Sequence, residues 1–142
     1  MKASHTFIDH TADVLFEAQA ESLEDLFREC ALAVSETQVE LKTVTAREMV
    51  EITAENTKIE NLLFDFLGDL LFYKDSRQLL LCKFEITITQ KNDNYSLICL
   101  AYGEKINQKK HKLGVDVKAI TMHLFEVRKE DEGWYAKVLV DI

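Results

Sequence analysis

A chain of 142 residues with 47% hydrophobic content is long enough for one domain that removes roughly two thirds of its surface from water, and too short for two large ones. A net charge of -8, from 17 Lys and Arg against 25 Asp and Glu, excludes phosphate-backbone binding by the whole surface and leaves any RNA contact local or indirect. The strongest apolar run, Leu62 to Phe72, carries Asp65 and Asp69 and falls short of the ~20 apolar residues a membrane helix needs, and Met1 to His10 has no basic start followed by an apolar stretch, so a cytosolic address without a membrane segment is expected.

In chain order, a polar corner at His10 to Asp13 precedes Val14 to Ala20, which reads as a strand. Ser22 then stands before Leu23, Leu26, Phe27, Cys30, Ala31 and Val34, a spacing that lays every apolar side chain on one helical stripe, with Asp25 three places after the Ser22 cap. Val44 to Ala54 alternates at Val50 and Ile52 and predicts a strand. Thr57 with Glu60 resembles a capping box ahead of Ile59, Leu62, Leu63, Phe66, Leu67, Leu70 and Leu71, a helix of about four turns in which Phe64 and Phe72 widen the apolar arc.

From Leu79 the period changes to two. Phe84, Ile86 and Ile88 alternate with polar neighbours, and Lys91 to Asn94 supplies turn chemistry before Tyr95 to Tyr102, so a hairpin is expected. Val115, Val117, Ala119 and Thr121 alternate against Asp116, Lys118, Ile120 and Met122, and a further hairpin turns at Glu130 to Gly133 before Trp134 to Val140. Two helices among seven or eight grouped strands indicate a single α+β domain over residues 1–142, with the helices laid on largely antiparallel sheet. Cys30, Cys82 and Cys99 have no C-x-x-C spacing and lie within apolar runs, which predicts reduced, buried thiols rather than a disulfide or a zinc site.

Two places stand out for chemistry. The segment Gly103 to Gly114 is long for a connection inside a small domain, and its Lys105, Lys109, Lys110 and Lys112 oppose only Glu104. This basic island suits either a phosphate or acidic partner surface, or simply a solvated face. His111 within it has the residue chemistry of a general acid or base, but no carboxylate partner is visible in the sequence, so a surface histidine is expected. At the other place, Val138 to Val140 ends in Asp141, Ile142 and an α-carboxylate, two anionic groups on adjacent residues; the apolar pattern running to Ile142 predicts a terminus tied to the fold.

His10-Thr11-Ala12-Asp13-Val14, then Gly103-Glu104 followed by His111, then Gly114 and Val117-Lys118-Ala119-Ile120-Thr121, and the closing Asp141-Ile142 occur in an order that resembles the archease family over nearly the entire chain. The resemblance implies an accessory protein of the RtcB-type RNA ligase, which joins a 2′,3′-cyclic phosphate or 3′-phosphate end to a 5′-hydroxyl end in tRNA splicing and RNA repair. Such a protein promotes guanylylation of the ligase and its multiple turnover, and is not the ligase itself. It also implies a divalent metal held by Asp13, Asp141 and the terminal carboxylate of Ile142, with Lys118, His111 and Glu104 as further functional contacts. RNA would be reached only through the ligase, and no nucleotide bound by the chain alone.

The donor types agree with that implication. Two carboxylates about 4 Å apart repel by roughly 4 kcal/mol at an effective dielectric near 20, a cost a divalent cation removes. An all-oxygen set favours Ca, Mg or Mn over Zn. The alternatives are a small metal-dependent hydrolase and a metal-binding module without a ligase partner. A hydrolase needs a base and a nucleophile around the metal; only His10 and His111 offer themselves, and neither a G-x-S-x-G nor an H-E-x-x-H pattern occurs.

Overall fold

The computed structural model describes residues 1–10 and 12–142; Thr11, the second residue of the first motif, lies outside the described residues. The elements run β1 (Ser4–Ile8), β2 (Asp13–Ala20), α1 (Leu23–Gln38), a short 3-10 turn (Leu41–Thr43), β3 (Glu48–Asn56), α2 (Ile59–Arg77), β4 (Leu79–Lys91), β5 (Asn94–Lys105), β6 (Ala119–Glu130) and β7 (Gly133–Asp141). The strands form two antiparallel sheets of order β1-β2-β7-β6 and β3-β5-β4. Both helices pack on sheet, as an α+β domain requires. No helix among the described residues is long and apolar enough to cross a membrane.

One core joins the two sheets. Phe16, Ala18 and Ala20 of β2, Leu26, Phe27 and Cys30 of α1, Leu62, Leu63, Phe66 and Leu67 of α2, and Leu97 and Cys99 of β5 are buried in a single cluster, with the Phe27 and Phe66 rings stacked at 6.0 Å. The helical stripe and the strand alternation read from the sequence are therefore the surfaces that meet. Cys30 and Cys99 are buried and Cys82 half-buried, all three as free thiols; burial pushes the Cys30 and Cys99 thiols upward, which suppresses the reactive thiolate.

α1 starts where its sequence signal lies. Ser22 Oγ accepts a hydrogen bond from the Asp25 N–H at 3.1 Å. α2 does not use the expected capping box: its N-cap is Lys58, which makes no side-chain cap bond, and Asn56 Oδ1 instead accepts the Lys58 N–H at 3.0 Å. Asn competes for a turn amide through its short side chain, so the box at Thr57 is replaced by an Asx-type turn one residue earlier. α2 is also longer than expected, 19 residues, and Phe72 does not widen its buried arc, being 63% exposed. Gly68 lies mid-helix with open space around the position of a Cβ. Gly68→Ala is expected to stabilise the fold by about 0.5–1 kcal/mol, read from chemical denaturation midpoints, because it removes backbone freedom from the unfolded chain without a clash.

Three boundaries move. Strand β1 escapes the sequence pattern because it is a short edge strand paired only with β2. Strand β3 begins at Glu48, since Leu41–Thr43 turns and Val44 caps that turn. β5 extends through Lys105 and β6 begins only at Ala119, so residues 106–118 form the connection and no strand occupies Val115 to Lys118. The expected alternation there fails for that reason: Val117 and Ile120 are buried while Ala119 is exposed. Further along, the β6–β7 register steps from Thr121↔Leu139 to Glu126↔Lys137, and Leu124 adopts a left-handed φ of 59° within the resulting bulge.

Candidate metal centre and its surroundings

β2 and β7 run antiparallel with Asp13 directly opposite Asp141, followed by Val14↔Val140 and Leu15↔Leu139. Val14 and Val140 pack into the core, so strand alternation turns the two aspartates together onto the other face. The register of the sheet thus converts two residues 128 positions apart in sequence into neighbours. The turn entering β2 places Ala12 at a left-handed φ of 68°, and His10 Nδ1 lies 3.8 Å from Asp13 Oδ2. Among the described residues, neither aspartate forms an ion pair with a lysine or arginine.

Like charges directly opposed on a sheet are destabilising unless something neutralises them. Two acidic side chains at one strand end, without a basic partner, fit a hard divalent cation by donor type. Among the described residues no three His, Cys, Asp and Glu side chains converge as a metal site, so the aspartates need a further oxygen from elsewhere. The Ile142 side chain is partly buried and packs against the core. The last residue is thus anchored to the fold, as the apolar pattern predicts. Lys118 is exposed, and its backbone N–H donates to the Asp141 carbonyl at 2.8 Å.

Glu104 and His111 are together, but facing inward. The Glu104 carboxylate is buried near the end of β5, and its Oε2 accepts the Thr45 N–H at 2.7 Å, Lys110 Nζ at 2.6 Å and His111 Nε2 at 3.0 Å. Arg47 Nε lies 3.7 Å from Oε1. His111 is buried, which corrects the expectation of a surface position, and the carboxylate absent from its sequence neighbourhood is Glu104. The Asn107 N–H donates to its Nδ1 at 2.9 Å, so the ring proton sits on Nε2 facing Glu104. Both ring nitrogens are therefore engaged within the fold, an arrangement for latching a connection rather than for exchanging protons with a substrate.

The same cluster revises the basic island, because Lys110 is committed to Glu104 and Thr45 Oγ1 and Lys112 lies 3.7 Å from Glu40; Lys105 and Lys109 remain exposed. Hydrogen bonds from Lys110, then from His111 and the Thr45 amide, hold the Glu104 carboxyl down at about 2, against 4.5 for an ordinary glutamate. A carboxyl lowered on folding contributes stability that is complete above its unfolded value and is lost as pH falls toward its folded value. Glu104 is therefore expected to contribute to acid unfolding between about pH 4.5 and 2. Comparing Tm against pH for the natural chain and Glu104→Gln should show the two curves converging over that window, with the variant lower at neutral pH.

Sequence reasoning missed Lys74. It lies on α2 one turn beyond Leu70 and Leu71, on the stripe that faces inward, and is only 7% exposed. A lysine at a position where periodicity demands an apolar residue is the signal that marks it.

The profile of the Archease protein family matches residues 5–142. Protein archease of Pyrococcus abyssi is 36% identical over 135 residues, covering 94% of this chain and 95% of that one. Protein archease of Methanosarcina barkeri is 32% identical, covering 97% and 95%, and the archease-like protein of Drosophila melanogaster is 34% identical, covering 97% and 88%. The solution structure of Methanobacterium thermoautotrophicum protein 1598 superimposes with a TM-score of 0.87 at 35% identity, covering 97% of this chain and 98% of that one.

Proposed function

The chain belongs to the archease family, and on that premise we propose that it is an activating partner of an RtcB-type RNA ligase in tRNA splicing and RNA repair, working in the cytosol and catalysing no ligation itself. The observation that carries this reading is the opposition of Asp13 and Asp141 across β2 and β7. In this reading both aspartates, with the α-carboxylate of Ile142 as third ligand, hold one Ca, Mg or Mn ion at a strand end. When bound, the cation supplies a positive charge that nucleotide phosphates of the ligase can approach.

The protein's own residues do the remainder. The β2–β7 register fixes the spacing of the two carboxylates, the Ile142 side chain pins the end of the chain, and the Lys118 N–H holds the Asp141 backbone. Glu104 and His111 set the path of the connection that leads to Lys118. The net charge of -8 disfavours independent RNA binding, so RNA is reached through the ligase.

The test is a mixing experiment: cognate ligase, excess RNA, GTP and divalent metal, with this chain added below stoichiometry. Ligase guanylylation and the number of turnovers should both rise, turnover well beyond one. No change in either contradicts the proposal. Nucleotide hydrolysis by the chain alone would favour the hydrolase reading instead.

A further inference from the structure

The connection from His111 to Lys118 is stitched along its length to four elements, β5, α1, α2 and β7. Its start is held by Glu104. Further on, the Leu113 backbone forms a bridge with Val39, the Gly114 N–H donates to the Gln38 carbonyl at 2.8 Å and the Val115 N–H to the Thr37 carbonyl at 2.9 Å, fastening the segment to the end of α1. Its last stretch before the acidic site is Asp116 and Val117. There the side chain of Lys74 reaches out of α2, and Nζ donates both to Asp116 Oδ1 and, at 3.1 Å, to the Val117 carbonyl. Asp75 Oδ1 lies 3.1 Å from the same Nζ. One residue later the Lys118 N–H meets the Asp141 carbonyl.

We propose that Lys74 is a positioning residue for the Asp13–Asp141 site: by clamping Asp116 and the Val117 carbonyl it fixes the end of the connection, whose next amide, that of Lys118, holds the backbone of Asp141. This inference rests on the metal reading given above and names a residue that acts on it from outside the ligand set. A buried ammonium is retained at a position where helix periodicity calls for an apolar side chain. An apolar residue there would add to the core; lysine instead donates to one carboxylate and one carbonyl of the segment leading to the site, with Asp75 of its own helix as a further ion-pair partner. Residues that orient metal ligands without touching the ion change affinity by 10- to 100-fold when removed.

The decisive comparison titrates Ca²⁺ and Mn²⁺ into the natural chain, Lys74→Met and Lys74→Arg by calorimetry, alongside Tm and amide exchange at Lys118. Lys74→Met keeps the apolar stem and deletes the donors. It should weaken binding about 10-fold or more and speed exchange of the Lys118 amide. Lys74→Arg, accommodated by a cavity of about 110 Å³ bordering Lys74 and Asp116, should restore most of both. If Lys74→Met lowers Tm alone and leaves ion affinity and Lys118 exchange unchanged, the residue is merely structural and the proposal falls. Should Lys74→Met not fold, Asp116→Asn, altered at an exposed side chain, takes its place with a smaller weakening expected; unchanged affinity in that variant overturns the proposal. If the natural chain binds neither ion, the metal reading fails separately, and Lys118 exchange still decides the link: faster in Lys74→Met supports it, unchanged refutes it.

Discussion

Asp13→Asn and Asp141→Asn are each expected to weaken Ca²⁺ or Mn²⁺ binding by a factor on the order of 10² to 10³ and to abolish stimulation of the ligase. One unit charge removed from about 4 Å is worth roughly 4 kcal/mol at an effective dielectric near 20, close to three factors of ten. The stability of the metal-free protein supplies the sign that separates this account from a structural one. The two aspartates face each other across the β2–β7 pair and share no lysine or arginine partner among the described residues. Neutralising either one relieves repulsion, so Tm without metal should stay level or rise. The ion-induced rise in Tm should vanish in both variants. Thermal melts with and without 1 equivalent or more of ion read both effects together; a variant that loses stability in the absence of metal would show the carboxylate to be a strut of the fold instead.

Gly103→Ala carries the largest expected cost to folding. Gly103 lies in β5 opposite Leu81, beside the register shift between Leu81 and Lys83, and its carbonyl accepts the Arg47 N–H at 3.0 Å. A Cβ at this position would lie 1.8 Å from the Leu80 carbonyl oxygen and 2.8 Å from Leu81 Cα, both backbone atoms that no rotamer change can move. Overpacking of a tight site typically costs 1–3 kcal/mol, occasionally more, and contact with rigid backbone belongs at the upper end. About 3 kcal/mol corresponds to a Tm lower by roughly 6–12 °C in a domain of this size. The neighbouring residue is Glu104, so the displaced strand end should also loosen the His111 latch, and exchange of the Asn107 amide bonded to His111 Nδ1 should accelerate in step. A Tm within about 2 °C of the natural chain would show that β4 and β5 yield more easily than packed backbone ordinarily does.

Much of the fold is legible in the sequence because its elements follow one period each. Leu26, Phe27 and Cys30 on α1, and Phe84, Ile86 and Ile88 on β4, occupy the faces their spacing predicts. The losses have local causes. β1 buries too little to impose a pattern, Asn56 takes the Lys58 amide in an Asx-type turn where a Thr57 box was expected, and the segment before Ala119 is held by side chains and single backbone bonds rather than by a ladder. Of the candidate site, the residue types of Asp13 and Asp141 are legible in the spacing of the chain, whereas their adjacency is implied only by the family resemblance, since it depends on the register between the second and last strands. His111 was misplaced for the same reason: Glu104 is seven residues away in sequence, and only the return of the connection onto β5 brings the pair together.

Anomalous diffraction from crystals of the natural chain grown with Mn²⁺ tests the Asp13–Asp141 centre itself. One strong peak per chain is expected, within coordinating distance of a carboxylate oxygen from Asp13 and one from Asp141, with the Ile142 α-carboxylate completing the protein ligands. Strong manganese peaks found elsewhere on the chain, with none between Asp13 and Asp141, would contradict it.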